Sequence, residues 1–242
     1  MVEPKAPAKA EKGDVAEKRS SRAEVDAFLK EVRSLKPAGS GSGRLIFAMD
    51  ATMSRQPSWD LALELQADMF KAVKAVGGLD VQLVYFRGFN ECQASKWVSD
   101  PEALARLMRR VACAGGLTQI RKVLAHARRE NETTKVNALV YVGDCMEEDV
   151  DQLSQLAGEL GLVGVPVFLF HEGREAKAER TFREIARLSR GAYCPFDAGS
   201  ARQLRELLTA VAVYATGGRK ALKDFSDETK SGAALRLLQQ LG

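Results

Sequence analysis

Leu45-Ile46-Phe47-Ala48-Met49-Asp50-Ala51-Thr52-Met53-Ser54 decides the fold. Its first five residues are all apolar, with no polar alternation, which suits a strand buried on both faces in the middle of a parallel sheet. Asp50 ends the run, and alternate residues after it are polar, so Asp50, Thr52 and Ser54 can face one point from one short loop. A helix follows. Pro57 opens it, Leu61, Leu65, Met69, Ala72 and Val76 recur at steps of three and four, and Gly77-Gly78 stops it.

The same alternation of apolar run and helical pattern continues outward. A second strand is predicted over 81–86 and a weaker third over 93–98, joined only by Arg87-Gly88-Phe89-Asn90-Glu91. A parallel crossover needs a dozen or more residues, so this connection is a hairpin and the sheet is mixed. Asp100-Pro101 opens a helix with Leu104, Leu107, Met108 and Val111 on its apolar face, and Gly115-Gly116 precedes another with Ile120, Val123, Leu124 and Ala127. Strands over 138–142, 165–170 and 192–196, with helices over 150–160, 176–189 and 201–215, complete the pattern. The predicted fold is α/β: a doubly wound, mostly parallel six-stranded sheet with one antiparallel edge strand and helices on both faces.

Around this domain, assigned to 44–216, residues 1–20 hold almost no large apolar side chain and are predicted to be disordered. Residues 21–43 read as a short helix carrying Val25, Phe28, Leu29 and Val32, followed by a Gly/Ser linker. Residues 217–242 read as a polar tail with a short helix around Leu235, Leu237, Leu238 and Leu241. Lys plus Arg against Asp plus Glu is nine against seven in 1–43 and five against three in 217–242, leaving 22 of each between. The net charge of +4 thus belongs to the ends, and a neutral central domain argues against nucleic acid as a partner. No run approaches a membrane span, the first residues lack a signal peptide's apolar core, and the four cysteines form no C-x-x-C pair. These features predict a soluble, cytoplasmic protein with reduced thiols and no membrane partner.

Three polar clusters lie where strands end: Asp50 to Ser54, Gly115-Gly116-Leu117-Thr118, and Gly143-Asp144. Doubly wound sheets bind ligands beyond the carboxyl ends of their strands, at the point where strand order reverses. The first and third clusters meet there if the first and fourth strands are neighbours. Asp50, Thr52, Ser54, Thr118 and Asp144 offer only oxygen, the donor set of a hard cation such as Mg²⁺. The same residues also have structural readings, because Asp-x-Thr-x-Ser is common turn chemistry and Thr118 suits a helix cap.

In order and spacing these residues resemble the metal-ion-dependent adhesion site of the von Willebrand factor type A (VWA) domain family, over about residues 44–215. The family pattern is Asp-x-Ser-x-Ser with a distant Thr and a more distant Asp. Asp50, Thr52, Ser54, Thr118 and Asp144 match it, Thr52 keeping the hydroxyl of the usual serine. The resemblance implies one divalent cation, Mg²⁺ or Mn²⁺, with an open position filled by a Glu or Asp of a partner protein. It also implies an intracellular setting in which such domains work beside ring ATPases or chaperones. Arg55, Trp59 and Arg87 are the candidates for the surrounding partner surface.

No nucleophile, base and orienting group assemble from the sequence, so an enzyme is not expected. Two alternatives stand beside the docking module. One is an aspartate-dependent α/β phosphohydrolase, although Thr52 occupies the place where that chemistry wants a second acid. The other is a structural subunit of an assembly with a vestigial metal site. Cys145 and His171, following neighbouring strands, could pair for nucleophilic chemistry but lack a third group. Cys113 and Cys145 are either redox-sensitive thiols or inert small hydrophobes, and His126 reads as a boundary residue. Glu147-Glu148-Asp149 either complements a helix N-terminus or tunes the approach of a partner.

Overall fold

A computed structural model of the chain describes residues 42–74, 76–197 and 200–241. The predicted disordered segment 1–20, and the short helix and linker expected over 21–43 up to residue 41, lie outside the described residues. Six strands form one sheet in the order β3-β2-β1-β4-β5-β6. β1 (Gly43–Asp50) runs parallel to β2 (Leu79–Arg87) on one side and to β4 (Ala138–Gly143) on the other. β5 (Val167–Glu172) and β6 (Ala192–Phe196) extend the parallel set, and β3 (Glu91–Ala94) is the antiparallel edge strand of the predicted hairpin.

Both faces of the sheet are covered, which is why β1 over 45–49 and β4 over 138–142 can be without charge. Leu45, Phe47 and Met49, with Ala138, Val140 and Val142, point into one core. That core is closed by α1 (Gln56–Val73), α2 (Pro101–Arg109), α6 (Ala201–Thr229) and α7 (Gly232–Gln240). Ile46 and Ala48, with Leu139 and Tyr141, point into the second core. There α3 (Ile120–Thr133), α4 (Val150–Leu162) and α5 (Ala176–Leu188) pack.

Several boundaries shift by one or two residues from the sequence reading, β5 for example to Val167–Glu172 from 165–170, and two differ in a way that changes the architecture. β3 stops at Ala94 rather than running to 98, because the Ser95 hydroxyl accepts from Leu83 N–H at 3.0 Å and takes a backbone oxygen's place in the ladder. Val98 returns to pair singly with Val81. The segment from Gly217, read as a tail, is folded onto the domain. α6 continues to Thr229 through a break at Gly218, whose φ of 65° and ψ of −161° suit a residue without Cβ. Leu222, Ala233, Ala234, Leu237 and Leu241 are buried in the first core. Gln240 of α7 reaches the outer edge of β6: Tyr193 N–H donates to its Oε1 at 2.8 Å, and its Nε2 donates to Tyr193 O at 3.0 Å.

Candidate functional site

Strand order reverses between β1 and β4, the place where a doubly wound sheet leaves a crevice. Met49 is level with Val142, so β1 delivers Asp50 where β4 ends and Asp144 follows. Asp50 is 1% exposed, and its Oδ1 accepts from Thr52 N–H at 2.8 Å. This turn of side chain onto backbone folds the loop back on itself. Thr52 Oγ1 and Ser54 Oγ then lie 3.4 Å apart, and a 3-10 turn over Met53–Arg55 leads into α1.

Backbone contacts bring the second cluster to the first. Ala114 N–H donates to Ala51 O at 3.0 Å, and Leu117 N–H to Gly88 O at 3.0 Å. A Cβ on Gly116 would sit 2.2 Å from Gly88 N, so only glycine lets these loops touch. Thr118 is buried and tied to the loop that follows the third cluster: its N–H donates to Glu147 Oε2 at 2.9 Å, and its Oγ1 accepts from Glu147 N–H at 3.3 Å. The acidic run has structural work. Glu148 accepts from Ile120 and Arg121 N–H at the start of α3, and Asp149 caps α4 by accepting from Gln152 N–H.

Two carboxylate oxygens in this rim, Asp50 Oδ2 and Asp144 Oδ1, are buried and have no hydrogen-bond partner, and the Tyr141 hydroxyl beside Gly143 likewise has none. Leaving such groups unpaired is costly. Burial pushes the Asp50 carboxyl up to about 6, the Thr52 hydrogen bonds oppose this, and nearby Asp144 adds to it. A divalent cation would remove the penalty, since it favours the ionised form of a carboxylate beside it. Among the described residues no three His, Cys, Asp or Glu side chains gather into a metal cage. The expected donor set is instead two carboxylates and three hydroxyls, and the orphaned carboxylate oxygens would suit Mg²⁺ or Mn²⁺, which keeps part of its water.

The three proposed partner-contact residues fare differently. Trp59 is 1% exposed, packs edge-on against Tyr85 and donates from Nε1 to Met108 O at 3.2 Å, so it is a core residue. Arg87 is also 1% exposed, paired with Glu91 and bonded to Ala112 O. Burial withdraws both from any contact surface. Arg55 lies at the rim, with Nη2 3.2 Å from Asp144 Oδ2 and Nη1 2.5 Å from Glu172 Oε2. The second contact pairs the charges without hydrogen-bond alignment, because Nη1 and Nε have no aligned acceptor. Glu172, buried at the end of β5 and also bonded by Ser58 Oγ, is a site carboxylate the motif does not contain. Its signal was position, since it ends a strand as Asp50 does. Met53, Phe89 and Leu117 are large apolar side chains left exposed on the same loops.

His171 is buried between Tyr193 OH at 2.8 Å and Asp144 O at 3.1 Å, so both ring nitrogens are engaged away from Cys145. Burial pushes the Cys145 and Cys113 thiols up to about 12, helped by carboxylates nearby, which disfavours a nucleophilic thiolate. His126 is half-buried with Nε2 2.8 Å from Gln82 Oε1, a boundary residue.

No protein-family model and no curated protein matches the sequence. Solved structures match the fold. A von Willebrand factor type A protein from Catenulispora acidiphila superposes with a TM-score of 0.58 at 15% identity, over 74% of this chain and 44% of that one. This chain therefore spans less than half the length of that relative. The SpRpn10 VWA domain gives 0.55 at 12% identity, over 73% of this chain and 98% of the domain. An aerotolerance-related membrane protein from Bacteroides fragilis gives 0.54 at 16% identity, over 70% and 98%. At these identities the likeness establishes the architecture: this chain has the VWA fold. No helix among the described residues is long and apolar enough to cross a membrane.

Proposed function

We propose that the domain docks a partner protein through one Mg²⁺ or Mn²⁺ held by Asp50, Thr52, Ser54, Thr118 and Asp144, with a Glu or Asp of the partner completing the coordination. The observation that carries this reading is the pair of buried, unpartnered oxygens, Asp50 Oδ2 and Asp144 Oδ1, at the reversal of strand order. Three neutral hydroxyls and two carboxylates leave a divalent ion neutralised at most and still attractive to a further anion. Exposed Met53, Phe89 and Leu117 supply the apolar surface that Trp59 and Arg87, being buried, do not. The reading is of a binding module and not an enzyme, since Thr52 gives an aspartate nucleophile no second acid and neither His171 nor Cys145 is free to act as a base. Four free cysteines accord with a reducing, cytoplasmic setting, where a ring ATPase or chaperone is the kind of partner VWA domains accompany.

Calorimetric titration with Mn²⁺ tests the site. Wild type binds one ion per chain, and Asp50→Ala, verified as folded by circular dichroism, binds at least about a hundredfold more weakly, losing as much as or more than a supporting residue contributes. Equal affinity in the two proteins refutes the assignment. Partners captured on immobilised wild type should be released by chelator and poorly retained by Asp144→Ala. Retention in both cases moves the docking surface elsewhere on the chain.

A further inference from the structure

The residue that follows the oxygen-donor loop introduces a charge the loop does not need. Arg55 ends the 3-10 turn after Ser54, and its side chain is 11% exposed. Its guanidinium lies between two acids, 3.2 Å from Asp144 Oδ2 and 2.5 Å from Glu172 Oε2. Glu172 is 4% exposed and held by Ser58, so it forms the fixed end of the arrangement. Asp144 is 25% exposed as a side chain, and its other oxygen is buried without a hydrogen-bond partner. One carboxylate therefore anchors the arginine, and the other is a ligand of the proposed cation site.

We propose that Arg55 is a built-in counter-ion that competes with a divalent cation for Asp144. The inference rests on the cation-binding reading given above. Without the ion, the guanidinium neutralises Asp144 and keeps the loops together. When the ion arrives, two positive groups contend for one carboxylate in a poorly hydrated rim, where like charges repel far more than in water. Arg55 then yields Asp144 and stays tethered through Glu172. The arginine thus lowers cation affinity and protects the cation-free fold. A residue that merely oriented Asp144 for the metal would do the opposite to affinity, since its loss would loosen the ligand. Arg55 therefore sets the cation level at which the site fills, and its freed Nη2 gains a place beside the ion for an incoming carboxylate.

The test compares wild type, Arg55→Met, and the double variant Arg55→Met with Glu172→Gln, in which the buried Glu172 is not left as a charge without its arginine. Mn²⁺ affinity is read by calorimetry and melting temperature is read in chelator. Both variants should bind Mn²⁺ about tenfold more tightly or better, while Arg55→Met melts lower than wild type in chelator. A merely structural role would lower both quantities together. Wild-type binding with equal or weaker binding by both variants overturns the competition and leaves the cation site standing. Absence of Mn²⁺ binding in all three proteins, each folded by circular dichroism, refutes the cation site and the competition with it.

Discussion

The rim beyond β1 and β4 and the outer edge of β6 treat polar groups in opposite ways. At β6, Gln240 reaches across from α7 and satisfies both the N–H and the C=O of Tyr193. At the rim, Asp50 Oδ2 and Asp144 Oδ1 are buried with nothing to bond. Folding stability alone would select the first arrangement everywhere, because an unmet buried polar group costs more than a met one gains. On the proposed cation reading, the contrast separates a region finished by the chain from one left for a ligand to finish.

Deleting everything after Gly217 should produce the largest effect. It removes Leu222, Leu237 and Leu241 from the first core, together with Ala233 and Ala234. At about 2–5 kcal/mol for each large buried side chain lost, the sum approaches the whole stability of a typical domain. The truncated protein should be unfolded or show no cooperative melt by circular dichroism at 25 °C. A melt within a few degrees of full length would make this region an appendage and dissolve the contrast.

A smaller effect, of opposite sign, is expected at the rim. In chelator, Asp50→Asn keeps an acceptor for Thr52 N–H and removes the buried charge. The folded carboxyl titrates near about 6, above its ordinary value of 3.8, so folding at neutral pH must bury an ionised group. The cost to wild type is absent below about pH 4, grows as pH rises to about 6, and is then constant at about 2–3 kcal/mol. Urea melts should therefore show the variant gaining on wild type from pH 4 to pH 7. A difference that shrinks with rising pH would mean that Asp50 is stabilised as an anion by the protein itself. The smallest change is Gln240→Ala, which leaves both backbone groups of Tyr193 unmet and should cost about 1–2 kcal/mol. No loss would show that water replaces Gln240 freely.

How legible the two regions are in sequence differs for the same physical reason. Strand identity and the hairpin follow from local pattern, because the run 45–49 states its burial in its own composition, whereas the adjacency of Asp50 to Asp144 waits on the strand order that makes β1 and β4 neighbours. The C-terminal segment does not. Gly217-Gly218 looks like a stop, and Leu235, Leu237, Leu238 and Leu241 announce an apolar stripe without announcing the surface that receives it. That surface is supplied jointly by the neighbouring α6 and by β6, well back in the chain, and Leu235 stays outside it. Trp59 was ambiguous for a similar reason: a tryptophan beside a site motif is an anchor or a core residue depending on where α2 packs, and Met108 O receives its N–H. Glu172 and Arg55 form a pair 117 residues apart that no spacing rule connects.

The closure of the β6 edge also governs how copies of this chain can associate. Gln240 occupies both groups that Tyr193 turns outward, and Pro195, two residues on and facing the same way, has no N–H to offer. On the opposite side, β3 has no outer neighbour among the described residues. Growth of a sheet through successive molecules requires two receptive sides on each, one to join and one to be joined. The described residues offer at most one, so edge-to-edge pairing through this sheet ends at two copies and does not propagate into a fibre.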